Sequence, residues 1–185
     1  VGASLQMNSG TTLTTNGVVT KATTSGRIIN KGTLVINHVD FLSTLQPASS
    51  VFQSLTGDII YNASGGDFPV PQDGGYNDVS VTGSATANGS FNVTGNWSND
   101  GAFTSTGGST ITFNGTSAQT ISGSGICTFE NLTLNSSKDL NFSTDTIKIE
   151  GVAECVSGTF ILNGSNIVLK STTDNSAKSL SYFVE

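Results

Sequence analysis

Charge is scarce in this chain: only 11% of its 185 residues are charged, with seven Lys and Arg against thirteen Asp and Glu and a net charge of −6. That leaves too little positive potential to track a phosphate backbone or an anionic lipid surface, so nucleic acid is not an expected partner. Long apolar runs are missing as well. A transmembrane helix needs about 20 consecutive apolar residues, whereas the longest runs here are of the length of Ile59-Ile60-Tyr61, so no membrane insertion is expected. The chain has one His and one Arg, His38 and Arg27, which leaves little for acid–base catalysis. No His/Cys/Asp/Glu group has zinc spacing and no Gly-x-Ser-x-Gly elbow occurs, so no catalytic, metal or cofactor-binding residue is assigned. Leu and Ala never recur at helical spacing. The sequence opens at Val1 without a charged and apolar leader and closes on the strand-like Ser181-Tyr182-Phe183-Val184-Glu185, which reads as a piece of a longer chain.

What is present is alternation and punctuation. Stretches such as Thr110-Ile111-Thr112-Phe113 and Thr146-Ile147-Lys148-Ile149 alternate polar and apolar residues. Asn-Gly pairs at 16–17, 88–89, 114–115 and 163–164 supply tight corners. The chain is therefore all-β, with short strands every ten residues or so. Self-similarity selects among β architectures. Val93-Thr94-Gly95, Ile121-Ser122-Gly123 and Ile149-Glu150-Gly151 lie 28 residues apart, and residues 121–135 realign with 149–163. Larger offsets of 52, 53 and 69 relate Tyr61 to Phe113, Tyr76 to Phe129, and the Gly-x-apolar-x-Asn-x-Gly-x-apolar pattern of residues 26–34 to that of 95–103. A fixed period of this size marks a solenoid whose stacked turns bury a shared core. The expectation is one continuous parallel β-solenoid over 1–185 with about 28 residues per turn, and a tandem β-sandwich as the alternative. A loop insertion is expected near 37–58, which holds Phe41, Leu42, Leu45, Pro47 and Phe52. Expected inward stacks are Val93, Ile121 and Ile149, and Leu134 with Leu162. Asn135 is expected over Asn163 at a corner, and Phe113, Phe129, Leu140, Phe142, Ile147, Phe160, Ile167 and Leu169 in the interior.

The run Gly95-Asn96-Trp97-Ser98-Asn99-Asp100-Gly101-Ala102-Phe103, the segment Thr110–Ile121 and the following Phe129-Glu130-Asn131-Leu132-Thr133-Leu134-Asn135 resemble a repeat of secreted and surface proteins of the Bacteroidota. The resemblance covers about 83–170 and extends more faintly over 10–82. It implies a right-handed parallel β-helix in a multi-repeat extracellular adhesin and no catalytic activity. Asp145-Thr146-Ile147 resembles the short O-glycosylation acceptor of that phylum, which makes Thr146 a candidate modification site. Nine Asn-x-Ser/Thr sequons also occur, as expected from a composition this rich in Asn, Ser and Thr.

Further candidates come from the residues themselves. The 28-residue alignment sets Cys127 and Cys155 one turn apart in one register, close enough for a disulfide; two buried thiols acting as small apolar groups is the other reading. His38 lies beside Asp40 but reads as a surface residue. Asp67, Asp73 and Asp78 form the densest carboxylate group, in a stretch that reads as a solvated turn rather than a calcium loop. Trp97, Tyr61 and Tyr76 align with Ile28, Phe113 and Phe129, so they belong in the core rather than on a sugar-stacking platform. Thr-x-Thr pairs at 12/14, 104/106 and 110/112 suggest an ice-binding lattice. The 28-residue alignment sets Thr104-Ser105-Thr106 against Leu132-Thr133-Leu134 and so breaks it.

These readings converge on a non-enzymatic, extracellular structural or adhesive segment whose partners are flanking repeats of the same or a neighbouring chain, and surface glycans. A carbohydrate-binding module is the runner-up. An ice-binding protein and a polysaccharide-active enzyme are minor alternatives.

Overall fold

The computed structural model describes residues 4–18, 27–41, 52–144, 146–169 and 183–184. Among them there is no helix, and the strands form a β-solenoid of about seven turns. Every strand pairing is parallel, which excludes the antiparallel sandwich.

Three ladders build the rod. The first stacks Ser4–Met7, Arg27–Asn30, the start of Phe52–Tyr61, the start of Gly74–Val81, Phe91–Val93, Thr110–Phe113, Asn131–Asn135 and Ala153–Ser157. The second stacks Thr12–Thr15, Thr33–Ile36, the ends of Phe52–Tyr61 and Gly74–Val81, Trp97–Asn99, Gln119–Gly123, Leu140–Thr144, Phe160–Ile161 and Phe183–Val184. The third stacks Ser64–Asp67, Ser84–Ala87, Ala102–Ser105, Ile126–Phe129, Thr146–Ile149 and Asn166–Leu169. Because Phe52–Tyr61 and Gly74–Val81 run unbroken through the corner between the first two ladders, those ladders join into one sheet of fifteen strands beside a sheet of six.

The turn is shorter than the sequence period. It averages about 21 residues, not 28. Val93 therefore stacks between Tyr76 and Phe113 in the first ladder, Ile121 between Trp97 and Phe142 in the second, and Ile149 between Phe129 and Leu169 in the third. With three strands sharing about 21 residues, one strand and its corner take about seven, so 28 residues span four such units: a full turn plus one face. The sequence repeat thus records the resemblance of one strand-and-corner to the next, while stacking is set by the backbone hydrogen bonds of a parallel ladder. Leu134 accordingly lies over Cys155 rather than Leu162, and Asn135 over Ser157 rather than Asn163.

Alternation sends one side chain of each pair inward, into a single cluster along the rod. Phe113, Phe129, Leu140, Phe142, Ile147 and Phe160 are buried as expected; Ile167 is only partly buried and Leu169 is exposed. Aromatic rings fill the middle turns. Trp97 meets Phe103 edge-on at 4.6 Å, and Phe68 stacks on Phe91 at 5.5 Å. Each buried large apolar side chain contributes about 1.5–3 kcal/mol. Of the segment expected to loop out, residues 42–51 lie outside the described residues, while 52–58 belong to a ladder strand.

Glycine sets how closely turns approach at the corner between the second and third ladders. A Cβ on Gly101 would sit 1.7 Å from the Gly83 carbonyl oxygen, one on Gly83 1.9 Å from that of Ala63, and one on Gly125 2.1 Å from that of Gly101. Gly101→Ala should therefore lower stability by about 2–4 kcal/mol in urea titration. Gly17→Ala, whose Cβ meets nothing within 4 Å, should change it by no more than about 0.5 kcal/mol.

Candidate functional site

Outside the core, the rod presents files of small uncharged side chains. The outward residues of the third ladder include Thr86, Thr104 and Thr128 in direct succession. The first ladder carries Asn92, Thr112 and Thr133; the second carries Ser80, Ser98, Ser122 and Ser143. Successive members sit one ladder spacing apart, about 4.8 Å. The register sets Thr104 between Thr86 and Thr128, not against Leu132–Leu134, yet the Thr-x-Thr pairs still do not stack on one another: Thr12 and Thr14 lie on Thr33 and Val35, and Thr110 and Thr112 on Asn131 and Thr133.

Corners add a second kind of file, fixed by hydrogen bonds between turns. After the second ladder, Asn37 donates to Asn16 at 2.7 Å, Asn62 donates to Asn37 at 2.9 Å, and the Thr82 hydroxyl donates to Asn62 at 2.6 Å. On the next turn, Asp100 Oδ1 accepts from both the amide and the hydroxyl of Ser124, one turn further on. Before the second ladder, Asp58 accepts from the Asp78 amide, Asp78 from the Asn96 amide, and Asn96 from the Thr120 amide. This is the side-chain stacking expected of Asn, located at different residues. The sequence reading also missed Gln119. It is buried, accepts from the Gly115 amide at 2.8 Å and donates to the Val93 and Gly95 carbonyls at 3.0 and 2.5 Å, tying the corners of two adjacent turns together.

One open depression of about 590 Å³ lies where the corner between the second and third ladders crosses three turns, lined by Gly123, Ser124, Ser143, Thr144, Thr146 and residues 163–166. Its lining is hydroxyl, amide and backbone, which suits neutral hydrogen-bonding ligands. Thr146, the candidate acceptor, is half-buried on its wall at the start of Thr146–Ile149; the preceding Asp145 lies outside the described residues.

The structure separates the other candidates. Cys127 and Cys155 are free thiols in different ladders: Cys127 pairs with Phe103 and Ile147 in the third, Cys155 with Leu134 in the first. The 28-residue alignment that set them one above the other skipped a face. Burial pushes the Cys127 thiol up to about 12, against small opposing contributions from Trp97 and Asn99. The Cys155 thiol is raised as well, by burial. His38 Nδ1 accepts the Asp40 backbone amide at 3.1 Å, an interaction that uses the ring nitrogen without engaging the Asp40 carboxylate.

The carboxylates of the 65–78 stretch diverge. Asp67 ends a third-ladder strand, Asp73 accepts from Gln53 at 2.8 Å, and Asp78 accepts from the Asn96 amide. Among the described residues no three His, Cys, Asp or Glu side chains gather closely enough to hold a metal ion. That stretch is no solvated turn: it contributes the strand Ser64–Asp67, the buried Phe68 and the start of Gly74–Val81. Trp97, Tyr61 and Tyr76 are fully buried, as expected. The tyrosine hydroxyls donate to the Gly65 and Pro69 carbonyls at 2.6 Å and so clamp this stretch. Tyr61 is pushed up to about 12, by burial first and then by the Asp67 and Asp40 carboxylates. No helix among the described residues is long and apolar enough to cross a membrane.

Comparison with protein-family models, with curated proteins and with solved structures gave no match.

Two measurements follow from the thiols. In native protein an alkylating reagent should modify Cys155 and spare Cys127 until urea unfolds the rod, and mild oxidation should form no Cys127–Cys155 bridge; intact mass before and after labelling reads both outcomes. Because Cys127 and Tyr61 have raised pKa values in the fold, each favours folding only while protonated. The urea midpoint should hold up to about pH 9, the ordinary thiol value, and then fall as pH climbs toward about 12.

Proposed function

We propose that the chain is a non-enzymatic, extracellular structural and adhesive segment, a stiff rod whose lateral faces contact neighbouring repeats and surface glycans. The observation that supports this reading is the set of three lateral files, in which three or four uncharged hydroxyl and amide side chains stack in succession over one core, the third-ladder run lying between Asp67 and Lys148 and the first-ladder run ending at Glu154. Such faces offer many weak hydrogen bonds in a fixed array, and affinity then grows by multiplicity rather than by one deep site. The resemblance to Bacteroidota surface repeats points to the same setting, at the cell surface or secreted from it. The depression lined by Gly123, Ser124, Ser143, Thr144, Thr146 and residues 163–166 is the favoured contact for a neutral sugar.

Beads coated with the protein should be retained on immobilised neutral polysaccharides. Placing lysines at Thr86, Thr104 and Thr128 should lower retention by about tenfold with circular dichroism unchanged. Retention no better than on control beads would remove the adhesive half of the reading, and shortened polysaccharide chains in the supernatant would overturn the non-enzymatic half.

A second reading draws on the same register. Thr86, Thr104 and Thr128 stack about 4.8 Å apart between Asp67 and Lys148, a short hydroxyl file of the kind that orders water. Thermal hysteresis in a nanolitre osmometer decides it: a freezing gap that closes on Thr104→Tyr supports the lattice, and no gap with the folded protein dismisses it.

A further inference from the structure

Four Asn-Gly pairs share one latent reaction. Without a Cβ on the glycine, its backbone nitrogen can approach the preceding side-chain amide carbon and close a five-membered ring. In sequence the four are equivalent, but the fold treats them differently.

At 16–17, Asn16 Oδ1 accepts from Asn37 Nδ2 at 2.7 Å as the first rung of the corner ladder, which fixes the amide group that would have to turn. At 114–115, the attacking nitrogen is occupied: the buried Gly115 amide donates to Gln119 Oε1 at 2.8 Å, and Asn114 Oδ1 is itself buried. At 88–89, the Asn88 carboxamide lies directly over Gly107 of the next turn, where a Cβ would come within 2.4 Å of its Oδ1, and Gly89 abuts Val70.

The fourth pair is held by none of these. Asn163 and Gly164 are exposed at the tip of a turn closed by the Ser165 amide on the Leu162 carbonyl at 2.8 Å. Both have positive φ, 46° and 78°, and the space about the Gly164 α-carbon is open to 4 Å. No hydrogen bond among the described residues engages the Asn163 carboxamide or the Gly164 amide.

We propose that Asn163 is a site of spontaneous, water-consuming modification, by which the rod acquires a carboxylate on the rim of its polar depression. The Gly164 nitrogen attacks Asn163 Cγ. The N–Cγ bond forms, the Cγ–Nδ2 bond breaks, and the departing nitrogen leaves as ammonia with the proton from Gly164. Water then opens the cyclic imide at either carbonyl, giving aspartate or isoaspartate at position 163. No redox partner or enzyme is required; the net change is one water taken up and one ammonia released. The added negative charge faces Ser124, Ser143, Thr144 and Ser165, where the described lining is uncharged. The isoaspartate product also lengthens the backbone of the turn by one carbon.

The test is peptide mass spectrometry on the intact protein aged in mildly alkaline buffer, with a urea-denatured sample aged in parallel. In the folded protein, position 163 should convert at least about tenfold faster than positions 16, 88 and 114, whereas denaturation should bring the four within about threefold of one another. Conversion of Asn163 no faster than that of the other three in the native state would overturn the proposal. So would an unchanged rate at 163 in the Gly164→Ala variant, because the cyclic imide route depends on the unhindered glycine nitrogen.

Discussion

Everything in this molecule follows from the requirement that a parallel strand exchange its backbone hydrogen bonds with the strands above and below at matched rungs. A chain that satisfies this three times per turn must bring its three corners back to the same places, whatever residues fill them. The length of a turn is therefore held near 21 residues, and departures are confined to corners. Side chains inherit the register. Apolar ones become columns in the interior, and polar ones become columns on the faces.

Corners carry the specificity that the strands lack. Backbones of adjacent turns approach so closely at Gly83, Gly101 and Gly125 that no side-chain carbon fits. One position away, Asn16, Asn37, Asn62 and Thr82 link turn to turn through their side chains. Gln119 does the same from the inside, satisfying loop groups that the ladder leaves over. Burying these polar backbone groups unpaired would be costly, so the small and amide-bearing residues that give the sequence its low-complexity look are the ones the corners demand.

Much of this was legible in the sequence. Alternation in Thr110–Phe113 and the Asn-Gly corners gave strands, self-similarity gave a solenoid, and the aligned aromatics Tyr61, Tyr76 and Trp97 were assigned to the core where they are found. The turn length was not legible, because the three faces have nearly the same strand-and-corner grammar and the best alignment joins a residue to its likeness on the next face. Cys127 and Cys155 show the consequence: similar neighbours in sequence, different ladders in space. Phe68 shows another limit. Set between Gly65-Gly66 and Pro69, it looks like a loop residue, yet it lies at the centre of the ring cluster with Tyr61, Tyr76, Phe91, Trp97 and Phe103 around it.

That ring cluster makes the rod unequal along its length. Aromatic contacts run from Phe52 to Phe129; further along the chain Phe142 packs on Phe160, while Val156, Val168 and Leu169 are exposed. In a structure whose cohesion passes only between adjacent layers, melting proceeds from the weaker extremity inward. The lone indole of the chain, Trp97, sits in the strongest layer. Its emission therefore reports the last portion of the rod to come apart, and a fluorescence transition would trail the loss of β-sheet signal as the outer coils peel away first.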